Sequence, residues 1–316
     1  MPAESPVGRA LVVGEALVDV RHDSRVEPPA VAEHPGGSPL NIAVALARLG
    51  IPTTLATQVG DDDRGAALAR HVADSGVELV RLTPTRPTST ATAVIGAGGA
   101  ASYEFDLMWA PEQLPDPADF ALVHVGSIGA ALAPGADQVA ELVARAAAAA
   151  VPVSFDPNVR QAITPDLADV RRRAEQIADG ATLLKLSDED AAELYPSLDP
   201  WDAALAQRLA DRHGALLVVV THREFGVVVS QGGEWVWVPA PSVDVVDTIG
   251  AGDTVTAAVL AGVLAHGLLD RDGWPEGGEE VALLLGWLGT LAVRTAAITC
   301  GRTGADPPWR HEIGAL

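Results

Sequence analysis

Asp247-Thr248-Ile249-Gly250-Ala251-Gly252-Asp253 runs directly into an apolar, helix-compatible stretch from Thr254 to His266, and Val243 to Val246 before it reads as a short strand or extended approach. The heptad is therefore a glycine-rich turn emptying into a helix N-terminus. Unpaired backbone N–H groups and the positive end of the helix dipole converge there, which makes an anion site. Gly250 and Gly252 carry no Cβ, so the backbone can close on a ligand. Asp253 breaks the pattern. A carboxylate at the mouth of an anion hole repels the anion unless it has a task of its own, such as taking a proton from an attacking nucleophile. A plainer reading makes Asp253 a capping or first-turn acid and the glycines an ordinary turn. The heptad alone does not separate the two readings.

The same grammar recurs upstream. In His34-Pro35-Gly36-Gly37-Ser38-Pro39-Leu40-Asn41, paired glycines precede a helix running from Ile42 to Leu49, with Ser38 placed as N-cap, Pro39 at the first position and Gly50 just past the end. Asn41, one turn in, is positioned to meet a polar ligand or to lie on a solvated face. From Ala10 the chain opens with an apolar strand, and Asp19 sits where a first strand ends. Pro52 to Gly60 and Val77 to Leu82 read as further strands, flanking a helix that starts at Asp61-Asp62-Asp63 and stops at Gly76. Thr88 to Gly96 and Ser102 to Met108 form a hairpin around Ala97-Gly98-Gly99-Ala100, a small lid together with residues 21–35. From Phe120 onward strands and helices alternate: strands at Leu122–Ile128, Val151–Phe155, Thr182–Leu186 and Leu216–Thr221, helices at Pro134–Ala150, Leu167–Asp179, Ser187–Leu194 and Trp201–His213. A hairpin follows around Gly232-Gly233, and Glu279 to Ala297 is the last helix. This alternation predicts a doubly wound, mostly parallel α/β sheet flanked by helices, with functional groups gathered at the C-terminal strand ends. Asp19, the segment Asp156–Arg160, Ser187–Asp190, Thr221 and the heptad all fall at such ends, so they converge on one site.

Composition removes several function classes. The 316 residues are 48% hydrophobic, enough for a large core, and carry a net charge of −21, the wrong sign for a nucleic-acid or anionic-membrane surface. Cys300 is the only cysteine, which excludes an intramolecular disulfide and suits a cytoplasmic protein. Residues 1–9 have no apolar signal core, and no apolar run reaches membrane-spanning length without a charge. Lys185 is the only lysine and lies between Leu184 and Leu186, so there is no Walker A loop. No Gly-x-Gly-x-x-Gly follows the first strand, which argues against a dinucleotide oxidoreductase.

The two glycine motifs, Gly36-Gly37-Ser38-Pro39-Leu40-Asn41 and Asp247 to Asp253, in that order, resemble the paired signatures of the ribokinase-like (pfkB) carbohydrate kinases, and the likeness spans nearly the whole chain. It includes Val59-Gly60-Asp61-Asp62, Asp156-Pro157-Asn158-Val159-Arg160, Lys185-Leu186-Ser187, Thr299-Cys300 and Gly304-Ala305. The resemblance implies a single ribokinase-like domain over residues 1–316, with lid segments near 20–35 and 86–108. It also implies ATP-dependent phosphorylation of a sugar. Asp253 would be the base, and the amides of Gly250, Ala251 and Gly252 would hold the phosphoryl charge. Asp19, Gly36, Gly37 and Asn41 would bind sugar hydroxyls, with Tyr103 and Arg160 touching the sugar or its carboxylate. Ser187, Thr221, Gly226 and Gly252 would serve the nucleotide.

Mg²⁺ would ride on the ATP phosphates, with Asp190 reaching it through water, because Ser187-Asp188-Glu189-Asp190 stands where the family usually has Asn-x-x-Glu. Three other positions depart from the pattern: Arg223 replaces a common glycine, Val255 a common aromatic, and Ile249 a common threonine. The last leaves K⁺ activation through Asp247 open. The Ser187 form and Asp156 to Arg160 are similar to the fructokinase and 2-keto-3-deoxygluconate kinase branch, so a hydroxymethyl group of a fructose-like sugar is the expected acceptor. Ketodeoxygluconate, ribose or a nucleoside are alternatives, as is a catalytically silent regulator on the same fold. A lid hairpin also offers an edge for a homodimer.

Overall fold

Leu217-Val218-Val219-Val220 is apolar at every position, a pattern that suits a strand covered on both faces. The computed structural model describes residues 8–23, 30–95, 101–202, 204–314 and 316. In it Leu217 and Val219 point into one core and Val218 and Val220 into a second, on the opposite face of the sheet. Ala10 and Val12 alternate with Leu11 and Val13 in the same way.

The described strands are β1 (Ala10–Val13), β2 (Leu17–Asp23), β3 (Ala30–Gly36), β4 (Thr53–Gln58), β5 (Glu78–Leu82), β6 (Thr90–Ile95), β7 (Ala101–Asp106), β8 (Leu122–Gly126), β9 (Val153–Asp156), β10 (Leu183–Ser187), β11 (Leu217–His222), β12 (Gly226–Gln231) and β13 (Glu234–Pro239). Nine of them form one sheet in the order β13-β12-β11-β10-β9-β8-β1-β4-β5, and four form a second sheet, β3-β2-β6-β7. The large sheet is parallel except for the β11-β12-β13 meander. Its strand order reverses between β1 and β8, and the crevice outside the strand ends at such a switch is where open α/β sheets bind ligands.

Two departures from the sequence reading matter for the site. The first strand ends at Val13, and the chain passes through Gly14-Glu15-Ala16 into β2, so Asp19 lies within the small sheet rather than at a strand end of the large one. The small sheet is built from the two segments expected to form a lid; the expected hairpin turn, residues 97–100, lies outside the described residues. In the first motif, Gly37 rather than Ser38 is the N-cap, and the helix runs Ser38–Arg48. Ser38 is the first helical residue, and its hydroxyl donates to a carboxylate described below.

Smaller differences follow local sterics. The strand expected to reach Ile128 stops at Gly126, and a short helix, Ser127–Ala131, follows. The helix expected from Trp201 begins at Leu205. Val243 to Val246 is exposed and irregular, tied instead by the Val246 and Asp247 N–H groups to the Cys300 carbonyl at 2.8 and 3.2 Å.

The helix that follows the heptad spans Ala251–His266 and is buried on all sides from Thr254 to Leu264. It is a central helix, not an amphipathic surface one. Val255, which replaces an aromatic, packs into the core. The long helix Gly278–Cys300 lies against it and against β12 and β13. This helix is long and apolar enough to cross a membrane by length and composition, yet here it packs as a core helix.

Gly126 faces Asp156 across β8 and β9, and a Cβ added there would lie 2.1 Å from the Asp156 carbonyl oxygen. Backbone cannot yield as a flexible side chain does. Gly126→Ala should therefore lower stability by about 2 kcal/mol or more and depress activity through Asp156. Denaturant unfolding checks this: an unchanged midpoint would show the strand ends to be more pliable than the packing implies.

Candidate active site

The two glycine motifs meet at one carboxylate. Ser38 Oγ donates to Asp253 Oδ1 at 2.6 Å, and Asn41 Nδ2 donates to Asp253 Oδ2 at 2.8 Å. The helix Ser38–Arg48 thus holds a side chain from the first turn of the helix Ala251–His266. Burial pushes the Asp253 carboxyl above the usual aspartate range. The bonds from Ser38 and Asn41 oppose that push, Asp156 adds to it, and Lys185 works against it. Asn41, expected to reach a ligand, donates its amide N–H to Asp253.

Gly250 caps the turn helix at φ 78°, where its missing Cβ also avoids Ala305, which would lie 2.6 Å away. Among the described residues, the N–H groups of Gly252 and Asp253 have no hydrogen-bond acceptor, and Gly252 is exposed. This is an open anion hole beside a fixed carboxylate. Asp247 fastens the turn from below: Oδ1 accepts the Ile249 N–H at 3.1 Å and Oδ2 the Gly304 N–H at 2.9 Å.

Beneath the turn lies a buried ionic cluster. Lys185 Nζ bonds Asp156 Oδ2 at 2.9 Å, and Thr256 Oγ1 donates to the same oxygen at 2.9 Å. Burial would strip the Lys185 charge, but Asp156, then Asp190, then Asp253 outweigh it and hold the ammonium charged. Sequence reading placed Asp156 at the site but did not foresee its pairing with Lys185. The available signal was a lone lysine inside an apolar strand, which needs a buried acid, and Asp156 ends the neighbouring strand.

The nucleotide candidates lie at the ends of β10 and β11 and the start of β12. Ser187 and Thr221 are paired across the ends of β10 and β11, and Gly226 opens β12 tight against the Val238 carbonyl. Asp190, expected to reach a metal through water, has a carboxylate that accepts three hydrogen bonds from the protein. Its Oδ2 accepts the Ser187 N–H and hydroxyl at 2.9 and 2.7 Å, and its Oδ1 accepts the Val159 N–H at 2.8 Å, so the buried carboxylate is committed to a capping box and a loop. No cluster of three or more acidic, histidine or cysteine ligands occurs among the described residues. Arg223, at φ 45°, pairs with exposed Glu189.

On the other side, half-buried Asp19 lies against Gly36, where a Cβ would come within 2.2 Å of Asp19 Oδ2; burial raises its pKa, and the charge of His34 opposes this. Gly37, at φ 103°, lies against the Glu15 carbonyl. Tyr103 is exposed and stacks on Phe105 with ring centroids 6.4 Å apart. Arg160 is exposed and bonds its neighbour's carbonyl, Val159 O, at 3.2 Å rather than an acid. Neither is drawn into the Asp253 cluster.

These features are the kind a phosphoryl-transfer site on a doubly wound sheet requires. The chain matches the description pfkB family carbohydrate kinase over residues 8–312, and it belongs to that family. It is 34% identical over 272 residues to a fructokinase of Klebsiella pneumoniae, covering 84% of this chain and 87% of that one. It is also 34% identical over 269 residues to a fructokinase of Rhizobium leguminosarum bv. trifolii, covering 83% and 81%. Among solved structures, a fructokinase with bound ATP from Xylella fastidiosa superposes with a TM-score of 0.80 at 28% identity, covering 96% of both chains.

Glu15 was not anticipated. It is buried, accepts the Gly129 N–H at 2.8 Å through Oε2, and its Oε1 has no partner among the described residues. Burial raises its pKa from 4.5 to about 7, with Asp253 adding a smaller push. In the unfolded chain this carboxyl ionises near 4.5. Between pH 4.5 and 7 the unfolded state therefore gains an ionisation that the fold resists, a loss of native stability of roughly 3 kcal/mol by pH 7. Glu15→Gln should melt at a higher temperature than the parent at pH 7, by a margin that shrinks toward pH 4.5. Thermal melts across that range check this, and a margin independent of pH would contradict the assignment.

Proposed function

We propose that this protein is an ATP-dependent kinase that transfers the γ-phosphoryl group to a hydroxymethyl group of a fructose-like sugar. One observation carries the reading: a clamped carboxylate, Asp253, stands beside backbone N–H groups that lack acceptors. A binding protein has no use for a negative charge next to bound phosphate, whereas a transferase does.

In this reading Asp253 takes the proton of the attacking hydroxyl, and Ser38 and Asn41 hold the carboxylate in line. The amides of Gly250, Ala251 and Gly252 receive the charge that develops on the phosphoryl oxygens. ATP lies over the ends of β10 and β11, along Ser187, Thr221 and Gly226. The sugar occupies the space between the two sheets, bounded by Asp19, Gly36 and Gly37, and the small sheet acts as its lid with Tyr103 and Arg160 selecting among sugars. Mg²⁺ enters on the ATP phosphates and neutralises part of their charge. Asp247, which fastens the turn, is the place where K⁺ would act. The absence of any lysine but Lys185 and the single thiol, Cys300, fit a cytosolic enzyme that handles ATP without a Walker loop.

ADP release from MgATP, measured with fructose, 2-keto-3-deoxygluconate, ribose and adenosine, tests the reading. Activity should be highest on fructose. Asp253→Asn should retain fructose binding and lose roughly 10²–10⁴-fold in kcat. Because the Asp253 pKa is raised, the acid limb of kcat/KM should lie above the ordinary aspartate range: the base is protonated, and turnover lost, as pH falls through that raised value. Preference for another sugar would move the substrate, and turnover unchanged by Asp253→Asn would remove the base. No ADP release with any sugar would favour a silent binder.

The small sheet exposes Val31 on one face and Tyr103 and Phe105 on the other, β3 and β7 are its edges, and a second copy of the chain is the partner that fits such an edge. Sedimentation should give the mass of two chains; a monomer at working concentration would remove this partner.

A further inference from the structure

The Lys185–Asp156 pair has more in it than a structural staple needs. An ammonium has three N–H donors, yet among the described residues Lys185 meets one acceptor, Asp156 Oδ2. Asp156 Oδ1 is buried and has no partner among the described residues. Both side chains are nearly closed to water, at 9% and 2% exposure. Replacing a buried ion pair with apolar residues is often neutral or favourable for stability, so half-satisfied polar groups in such a place call for a reason beyond packing.

The position of the ammonium supplies one. A Cβ added at Gly252 would lie 3.4 Å from Lys185 Nζ, so the charge rests in contact with the anion-binding turn. Thr256, from the same helix as Asp253, steadies Asp156, so β9, β10 and the turn helix are joined through one carboxylate oxygen. The groups facing the ammonium are Asp156 on β9, Asp190 on the short helix after β10, Asp253 on the turn helix, and His124 on β8. His124 is neutral, its pKa lowered to about 3, first by burial and then by Lys185 itself. Lys185 is therefore the one cation in that set.

We propose that Lys185 is a positioning residue for phosphoryl transfer: seated on Asp156, its ammonium backs the Gly252 peptide and supplies the fixed positive charge of the anion hole. The proposal rests on the kinase reading above and deepens it. It gives a chain without a Walker lysine a buried lysine that acts through the turn from behind.

The test compares the parent with Lys185→Met/Asp156→Leu, which removes both charges and leaves neither partner unpaired. Lys185→Gln, which keeps a polar stem, is read in the same way should the pair variant fail to melt cooperatively. Two quantities are measured: kcat and the fructose KM from ADP release, and the ratio of MgAMPPNP to MgADP affinity by calorimetry. The expected result is a cooperative melt near that of the parent, a fructose KM within about 3-fold, kcat lower by about 10²-fold as for loss of an oxyanion donor, and a nucleotide ratio lower by about 10-fold. A purely structural pair would give a kcat and a nucleotide ratio close to the parent's in the variant that melts normally, and that outcome overturns the proposal. The affinity ratio needs no sugar. A parent that favours the triphosphate but turns over no sugar therefore counts against the substrate reading and leaves the Lys185 result to be judged by its own ratio.

Discussion

The carboxylate of Asp253 is the point on which the two halves of this chain depend. Hydrogen bonds to it come from Ser38 and Asn41, separated from it by 215 and 212 residues. Removing a carboxylate from water is expensive, and burial duly raises its pKa. Two hydrogen bonds to an ionised group contribute about 1.5–3 kcal/mol each, and the helix N-terminus adds up to about 2 kcal/mol in partly buried geometry. The balance leaves a carboxylate held above the usual aspartate range by burial, and so a stronger proton acceptor than an exposed aspartate. Without Ser38 and Asn41 the burial term would stand with less to oppose it, and the helix Ser38–Arg48 would lose its polar tie to the turn helix.

The large sheet serves that carboxylate by geometry. Seven parallel strands deliver their ends to one edge, and the order reversal between β1 and β8 opens the crevice. Glu15 stands just past the end of β1, Gly126 and Asp156 at the ends of β8 and β9, and Ser187 and Thr221 at β10 and β11. Each of these residues is placed at or just past the end of a strand that is buried along its interior. The acidic groups in the crevice are raised by burial at Asp19, Glu15 and Asp253. Destabilised carboxyls concentrated at one edge are the expected mark of a site selected for chemistry at some expense of stability.

Much of this was legible in the residues. The alternation of apolar runs and helices gave the doubly wound sheet, the two β-rich segments gave the small one, and the glycine turns marked the site because a turn before a helix has few other physical uses. What was hidden depended on contacts between distant segments. Ser38 has every local mark of an N-cap, and nothing local shows that it sits one position inside the helix with its hydroxyl donating to Asp253. Asp190 reads as an acid reaching Mg²⁺ through water, and its hydrogen bonds with Val159 and Ser187 show only once those segments are placed. Asp19 seemed to end a strand because nothing local marks the crossing from one sheet to the next at Gly14-Glu15-Ala16. Lys185 and Asp156 lie on adjacent strands, and their pairing is a matter of register, which one-dimensional periodicity does not contain.

The net charge of −21 and an anion hole coexist because they act over different distances. Surface charges are screened within about 8–10 Å at physiological salt, and most of the acids here lie on the outside. At the turn, the field is set by what is within a few ångströms: unpaired N–H groups, the helix dipole and the Lys185 ammonium, with Asp156 and Asp253 beside them. The acids nearest the hole are each held by donors: Asp253 by Ser38 and Asn41, Asp156 by Lys185 and Thr256, Asp190 by Ser187 and Val159. A held carboxylate directs its charge along its hydrogen bonds rather than into the space above the turn. A strongly acidic chain can thus present a positive place for phosphate, provided every nearby acid is committed to a partner.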